Sequence, residues 1–124
     1  MATVTRLEGH RILVVEDNEM IAELWASVLE DHGAQIIGPV ASVKDALVAI
    51  DRHLPHSAVL DVHLVDGVSF PVARALAARA IPYVIVASFD PRDLPADLGM
   101  PPFLCKPTSL ASLVEVVGTM QAAG

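Results

Sequence analysis

A doubly wound α/β domain, with a parallel sheet and helices on both faces, is what the sequence predicts. Short apolar runs bounded by polar or turn residues recur at positions 12–15, 58–60, 83–87 and 103–105. Such runs read as strands buried on both sides. Stretches with helical spacing lie between them, so strands and helices alternate along the chain. The third observation is chemical. Each run ends in polar residues, in chain order Glu16-Asp17, Asp61, Ser88 and Lys106-Pro107. Open α/β sheets bind ligands beyond the carboxyl ends of their strands. Three acids, a hydroxyl and a lysine are therefore expected on one rim.

The elements follow in order. Ile21, Leu24, Trp25, Val28 and Leu29 have the i, i+3, i+4, i+7, i+8 spacing of one buried helical face. Asn18 can cap that helix and Gly33 can end it. Residues 35–38 read as a short second strand. Ser42 and Asp45 form an S-x-x-D start before Ala46, Leu47 and Ile50. Residues 55–57 turn into the strand ending at Asp61, and Asp66-Gly67 is a turn dipeptide. A third helix is expected from Ser69 to Ala80, with Pro71 tolerated in its first turn and Pro82 as its stop. The last helix is expected to begin near Thr108 or Ser109 and to bury Leu110, Leu113, Val114 and Val117.

One stretch breaks the alternation. Between Ser88 and Lys106 a helix is due, yet Pro91, Pro95, Gly99, Pro101 and Pro102 interrupt it. No window of about 10 residues, below the mean helix length, is free of breakers. The fourth helix is expected to be short, irregular or mobile, with a turn or two between Arg92 and Leu98.

Bulk composition excludes several classes. A chain of 124 residues, 53% hydrophobic with mean hydropathy +0.53, suits one compact domain. No apolar stretch approaches the roughly 18–20 residues that span a bilayer. The first ten residues lack the apolar core of a secretory signal, so a cytoplasmic protein is expected. Its one cysteine, Cys105, cannot form an internal disulfide and is expected to be a buried, inert thiol. A net charge of −7 and scattered basic residues argue against nucleic acid as a partner. His10, His32, His53, His56 and His63 show no HxxxH or HExxH spacing. Trp25 reads as a core or partly exposed helix residue without a chemical role.

An aspartate at a strand end can attack phosphorus and become an aspartyl phosphate. Charge is the obstacle, and a divalent cation held by clustered carboxylates relieves it, which suits Mg²⁺. Crowded carboxylates in the metal-free site should have raised pKa values. Lys106 can pair with a phosphoryl oxygen as a point charge, and Ser88 can donate a hydrogen bond to another.

With these residues in place, the chain resembles receiver domains of the bacterial two-component response-regulator family along essentially its whole length. Glu16-Asp17 match the family's acidic pair, and Asp61 within LDVHLVDG matches its phosphoacceptor. Ser88 falls at the Thr/Ser position, Lys106-Pro107 at the lysine and its proline, and Phe103 at the aromatic switch. The resemblance implies a five-stranded sheet in order 2-1-3-4-5 and a Mg²⁺ held by Glu16, Asp17, Asp61 and the backbone carbonyl of His63. It implies a cis Lys106–Pro107 bond and a phosphodonor that is a sensor histidine kinase or histidine phosphotransfer protein. A downstream protein would read the result. The boundaries expected are an N-terminal extension over 1–9 and a stand-alone receiver domain over 10–122.

Two departures from the family pattern stand out. Phe89 follows Ser88 where a small residue is usual, so it is expected to crowd the site and slow donor access or hydrolysis. The interrupted fourth helix puts the usual dimer face in doubt. Two rival readings stay open. One is a phosphorylation-independent pseudo-receiver, which would bind Mg²⁺ weakly or not at all. The other is an aspartate-nucleophile phosphatase, although His63 stands where those enzymes carry a second aspartate.

Overall fold

The computed structural model describes residues 7–123, with side chains through Met120. In chain order the elements are β1 (Arg11–Val15), α1 (Glu19–Asp31), β2 (Gln35–Val40), α2 (Val43–His53) and β3 (Ser57–Asp61). The short strands β4 (His63–Leu64) and β5 (Gly67–Val68) follow, then α3 (Phe70–Ala78), β6 (Tyr83–Ala87), β7 (Phe103–Cys105) and α4 (Leu110–Ala123). Five strands form a parallel sheet in the order β2-β1-β3-β6-β7, the 2-1-3-4-5 order expected for the main strands. β4 and β5 make a separate antiparallel hairpin. Strand order reverses between β1 and β3, so the loops leaving these two strands diverge and open a crevice at their carboxyl ends.

Strand alternation divides the core into two layers. Leu13, Val15, Leu60 and Ile85 face α2 and α3, meeting Ile50, Val72 and Leu76. Ile12, Val14, Val59 and Val84 face α1 and α4, meeting Trp25, Leu29, Leu113 and Val117. Leu7 is fully buried in this second layer, and its N–H donates to the His32 carbonyl at 2.8 Å. Residues 1–6 of the expected extension lie outside the described residues. Among the described residues no helix is long and apolar enough to cross a membrane.

Helix starts follow the local chemistry. The Asn18 side chain accepts from the Ile21 N–H at 3.1 Å, and Ser42 Oγ accepts from the Asp45 N–H at 3.0 Å. Ser109 Oγ accepts from the Ser112 N–H at 3.0 Å, and Pro71 sits in the first turn of α3. A second cap on α2 comes from far away in sequence. Asp66 accepts from the Val43 and Lys44 N–H groups at 2.7 and 3.2 Å, which anchors the β4–β5 turn to that helix. These bonds hold the Asp66 carboxyl below its ordinary pKa.

Several expectations need correction. The buried stripe of α1 is Ala22, Trp25, Ala26 and Leu29, whereas Leu24 is 54% exposed. Ile21 and Val28 are partly buried against the same layer, so Leu24 is the one residue of the expected face that turns outward. β2 continues past Gly38 to Val40 across a cis Gly38–Pro39 bond and an irregular register against β1. Gly38 has φ +92°, and a Cβ there would stand 2.7 Å from the Val40 nitrogen, so glycine is required. α3 stops at Ala78, two residues short of Ala80, which adopts φ 56°.

The stretch rich in proline forms two single 3₁₀ turns, Pro91–Asp93 and Ala96–Leu98, in place of a fourth α-helix. It is held down at both levels. Leu94 and Leu98 pack with Phe89 and Phe103 against the α2/α3 layer, and Arg74 on α3 grips Asp97 through two bonds of 2.8 and 3.2 Å. Cys105 is exposed rather than buried. It shares a face of the edge strand β7 with Phe103, and the connection leading into that strand forms 3₁₀ turns in place of an α-helix.

The observed face of α1 yields a direct check. Leu29→Ala should cost about 2–5 kcal/mol in chemical denaturation, as full truncation of a buried leucine does. Leu24→Ala should stay within about 0.5 kcal/mol of the parent. Equal losses at both positions would contradict the observed face.

Candidate functional site

The rim at the carboxyl ends of the strands is assembled by backbone bonds that continue the sheet. The Glu16 N–H donates to the Val40 carbonyl at 3.0 Å, holding the residue after β1 against β2. The Lys106 N–H donates to the Ala87 carbonyl at 2.8 Å, which keeps Lys106 in line with the end of β6. Its bond to Pro107 is cis, as the resemblance implied. Asp61 ends the central strand β3, and its Oδ1 accepts from the Val62 N–H at 2.8 Å.

Four of the expected side chains converge. Lys106 Nζ lies 3.2 Å from Asp61 Oδ1 and 3.4 Å from Glu16 Oε1. Carboxylate oxygens of Glu16, Asp17 and Asp61 lie within 4.8 Å of one another. Glu16 and Asp61 are buried, while Asp17 is exposed. One ammonium cannot satisfy three carboxylates. Burial first, then a hydrogen bond with Asp61 and that carboxylate's charge, push the Glu16 pKa from 4.5 to about 8 against the pull of Lys106. Glu16 Oε2 is buried with no hydrogen-bond partner among the described residues.

An unpaired buried oxygen beside two further carboxylates fits a cation ligand set. All the donors are hard oxygens, the chemistry preferred by Mg²⁺ and Ca²⁺ rather than by softer metals. His63 opens the hairpin two residues beyond Asp61 with its side chain exposed. Its imidazole is not part of the carboxylate cluster.

Ser88 is the first residue after β6 and is exposed at the same rim. With Lys106 it lines an apolar cavity of about 510 Å³ whose other walls include Ile21, Leu24, Trp25 and Leu110. Phe103 and Phe89 sit on the opposite side of the sheet, packed against the α2/α3 layer. Their rings meet edge to face, with centroids 5.9 Å apart at 76°. Phe89 is thus turned toward Phe103 and is not among the residues lining the cavity beside Lys106.

Two contributors escaped the sequence reading. Asp66 anchors the loop beyond Asp61 through a cap 23 residues away, which a local D-G turn signal cannot reveal. Trp25 places its ring centroid 5.8 Å from Lys106 Nζ, a contact between residues 81 positions apart in the chain. Only its place on the inner stripe of α1, pointing toward the strand ends, hinted at it.

No family model matches the chain. Individual proteins do. The solution structure of SdrG from Sphingomonas melonis Fr1 is 31% identical over 90% of this chain and 95% of that one, with a TM-score of 0.76. A CheY-like response regulator receiver domain from Methylobacillus flagellatus is 28% identical over 90% of this chain and 98% of its own, also at 0.76. The transcriptional regulatory protein PdtaR of Mycobacterium tuberculosis is 28% identical over 111 residues, covering 86% of this chain. The match takes in 54% of PdtaR, so the chain spans about half the length of that relative.

The raised pKa of Glu16 fixes the sign of a pH dependence. A carboxyl that is harder to ionise in the folded state contributes stability below its unfolded pKa, near 4.5, and loses it as pH rises through about 8. With EDTA present, unfolding free energy should therefore fall over that window, and Glu16→Gln should flatten the profile. Parallel profiles for the two proteins would contradict the assignment.

Proposed function

Since this chain belongs to the receiver-domain family of two-component response regulators, we propose that Asp61 is its phosphoacceptor in a phosphorelay. The observation that carries the reading is the Lys106 ammonium, 3.2 Å from Asp61 and beside a buried acidic pair at the end of the central strands. The donor is a phosphohistidine on a sensor histidine kinase or a histidine phosphotransfer protein. An Asp61 carboxylate oxygen attacks phosphorus, a P–O bond forms, the P–N bond to the imidazole breaks, and the departing nitrogen takes up a proton. Lys106 pairs with one phosphoryl oxygen and Ser88 donates a hydrogen bond to another.

The carboxylates of Glu16, Asp17 and Asp61 with the backbone carbonyl of His63 would hold a Mg²⁺, whose chemistry is to neutralise charge between carboxylate and phosphoryl oxygens. The orphaned Glu16 oxygen supports that ligand set. Donor access runs over Leu24, which lines the cavity next to Lys106 and is 54% exposed.

Phosphorylation adds charge near −2 and strong acceptors at Asp61. Ser88 moves toward that charge and carries its neighbour Phe89 with it. Since Phe89 touches Phe103, displacement at Ser88 reaches the Phe103 ring and the Pro-rich segment packed on it. Phosphorylation thereby alters a protein-binding surface in the cytoplasm. The protein signals through that surface rather than by turning over a substrate.

Intact mass after incubation with Mg²⁺ and acetyl phosphate tests the assignment. Wild type should gain one phosphoryl group, and Asp61→Ala should gain none. A gain in Asp61→Ala would move the acceptor elsewhere. No gain in either protein would favour the pseudo-receiver.

A further inference from the structure

We infer that Trp25 is the positioning residue for Lys106, its indole face forming the wall that keeps the ammonium aimed at the acceptor. The kinetic consequence rests on Asp61 being the phosphoacceptor; the contact itself does not.

Lys106 must place a charge on a four-carbon stem with many rotamers. Among the described residues its Nζ has two polar partners, Asp61 at 3.2 Å and Glu16 at 3.4 Å, and both are carboxylates. Lys106 also lines the apolar cavity of about 510 Å³, which offers the lysine a way out toward solvent. Trp25 stands at that wall. Its ring centroid is 5.8 Å from Nζ, inside the roughly 6 Å reach of a cation–π contact. Being 3% exposed and wedged among Leu29, Val14 and Val86, the indole is itself held still.

Chemistry favours this geometry. When Asp61 becomes an acyl phosphate, the carboxylate that held Lys106 changes its charge and shape, and the ammonium must follow a phosphoryl oxygen. Phosphorylation at Asp61 leaves the ring face unaltered, as it does the Glu16 carboxylate 3.4 Å away on the acidic side. A fixed, water-poor aromatic surface therefore restricts Lys106 to short excursions between carboxylate and phosphoryl group. Loss of the ring would release the stem into the cavity, and the charge would arrive in the right place less often. Tryptophan is the best of the aromatic residues for such a contact, and phenylalanine preserves the face in weaker form. A ringless apolar residue preserves only the packing.

Two measurements on the folded protein test the inference. The first is the NMR shift of the Lys106 ε-methylene protons in wild type and Trp25→Met. Ring current should move them upfield in wild type, and Trp25→Met should return them toward ordinary lysine values. The second is the rate of Asp61 phosphorylation at saturating acetyl phosphate and Mg²⁺, for wild type, Trp25→Phe and Trp25→Met. Trp25→Met should be about three- to tenfold slower, and Trp25→Phe should retain the rate within about twofold. Unshifted methylene protons in wild type would overturn the inference. So would equal rates for Trp25→Phe and Trp25→Met, fast or slow, because packing alone would then explain the effect. The wild-type shift needs no variant and decides alone if Trp25→Met does not fold. If wild type takes up no phosphoryl group, the acceptor reading of Asp61 fails by itself, and the shift still decides whether Trp25 holds the lysine.

Discussion

A carboxylate buried beside another carboxylate, with one ammonium for both, is the constraint around which the rest of this protein is arranged. Glu16 is 3% exposed, keeps one oxygen unpaired and has its pKa pushed up to about 8. Such a group opposes folding whenever it is ionised. Lys106 offsets part of that cost, from 3.4 Å to Glu16 and 3.2 Å to Asp61. The remaining charge is left open to a cation. Added positive charge would relieve this crowding, and a neutral ligand would not.

The sheet is what makes the crowding unavoidable. Parallel strands all release their chains on one side, so β1, β3, β6 and β7 deliver Glu16, Asp61, Ser88 and Lys106 to one rim. The apolar layers above and below lock those strand ends in place, and Asp66 ties down the loop that leaves β3. By contrast, the region between β6 and β7 has no helix to stiffen it. Two 3₁₀ turns, the Arg74–Asp97 bridge and the Phe89–Phe103 contact hold it instead. Surface ion pairs of this kind contribute little stability. The segment next to Ser88 is thus held by apolar packing and one surface ion pair rather than by a helix.

Much of this arrangement could be read from residues alone, and the failures share a cause. Strand ends were legible because a buried apolar run that stops at an acid or a lysine leaves few alternatives for where that charge can go. The lost helix was legible because proline and glycine act locally. Four of the five residues expected on the buried face of α1 do pack inward, and Leu24 alone was misread, because it matches the helical period as well as Ala22 and Ala26 do. Cys105 was expected to be buried because strand alternation points it away from Lys106, toward a face that a helix would cover. Here the expected cover is the very helix that the prolines remove. The Asp66 cap and the Trp25–Lys106 contact join residues 23 and 81 positions apart, and no local pattern encodes either.

Calorimetric titration with Mg²⁺ at pH 7, repeated in two buffers of different ionisation enthalpy, tests the central claim most directly. Glu16 with a pKa of about 8 is mostly protonated at that pH, so a cation that takes its oxygen must expel the proton. The expected result is saturable binding of one Mg²⁺ with release of close to one proton, and loss of that release in Glu16→Gln. Absence of binding, or binding with no proton released, would contradict a charge cluster held in readiness for a metal ion.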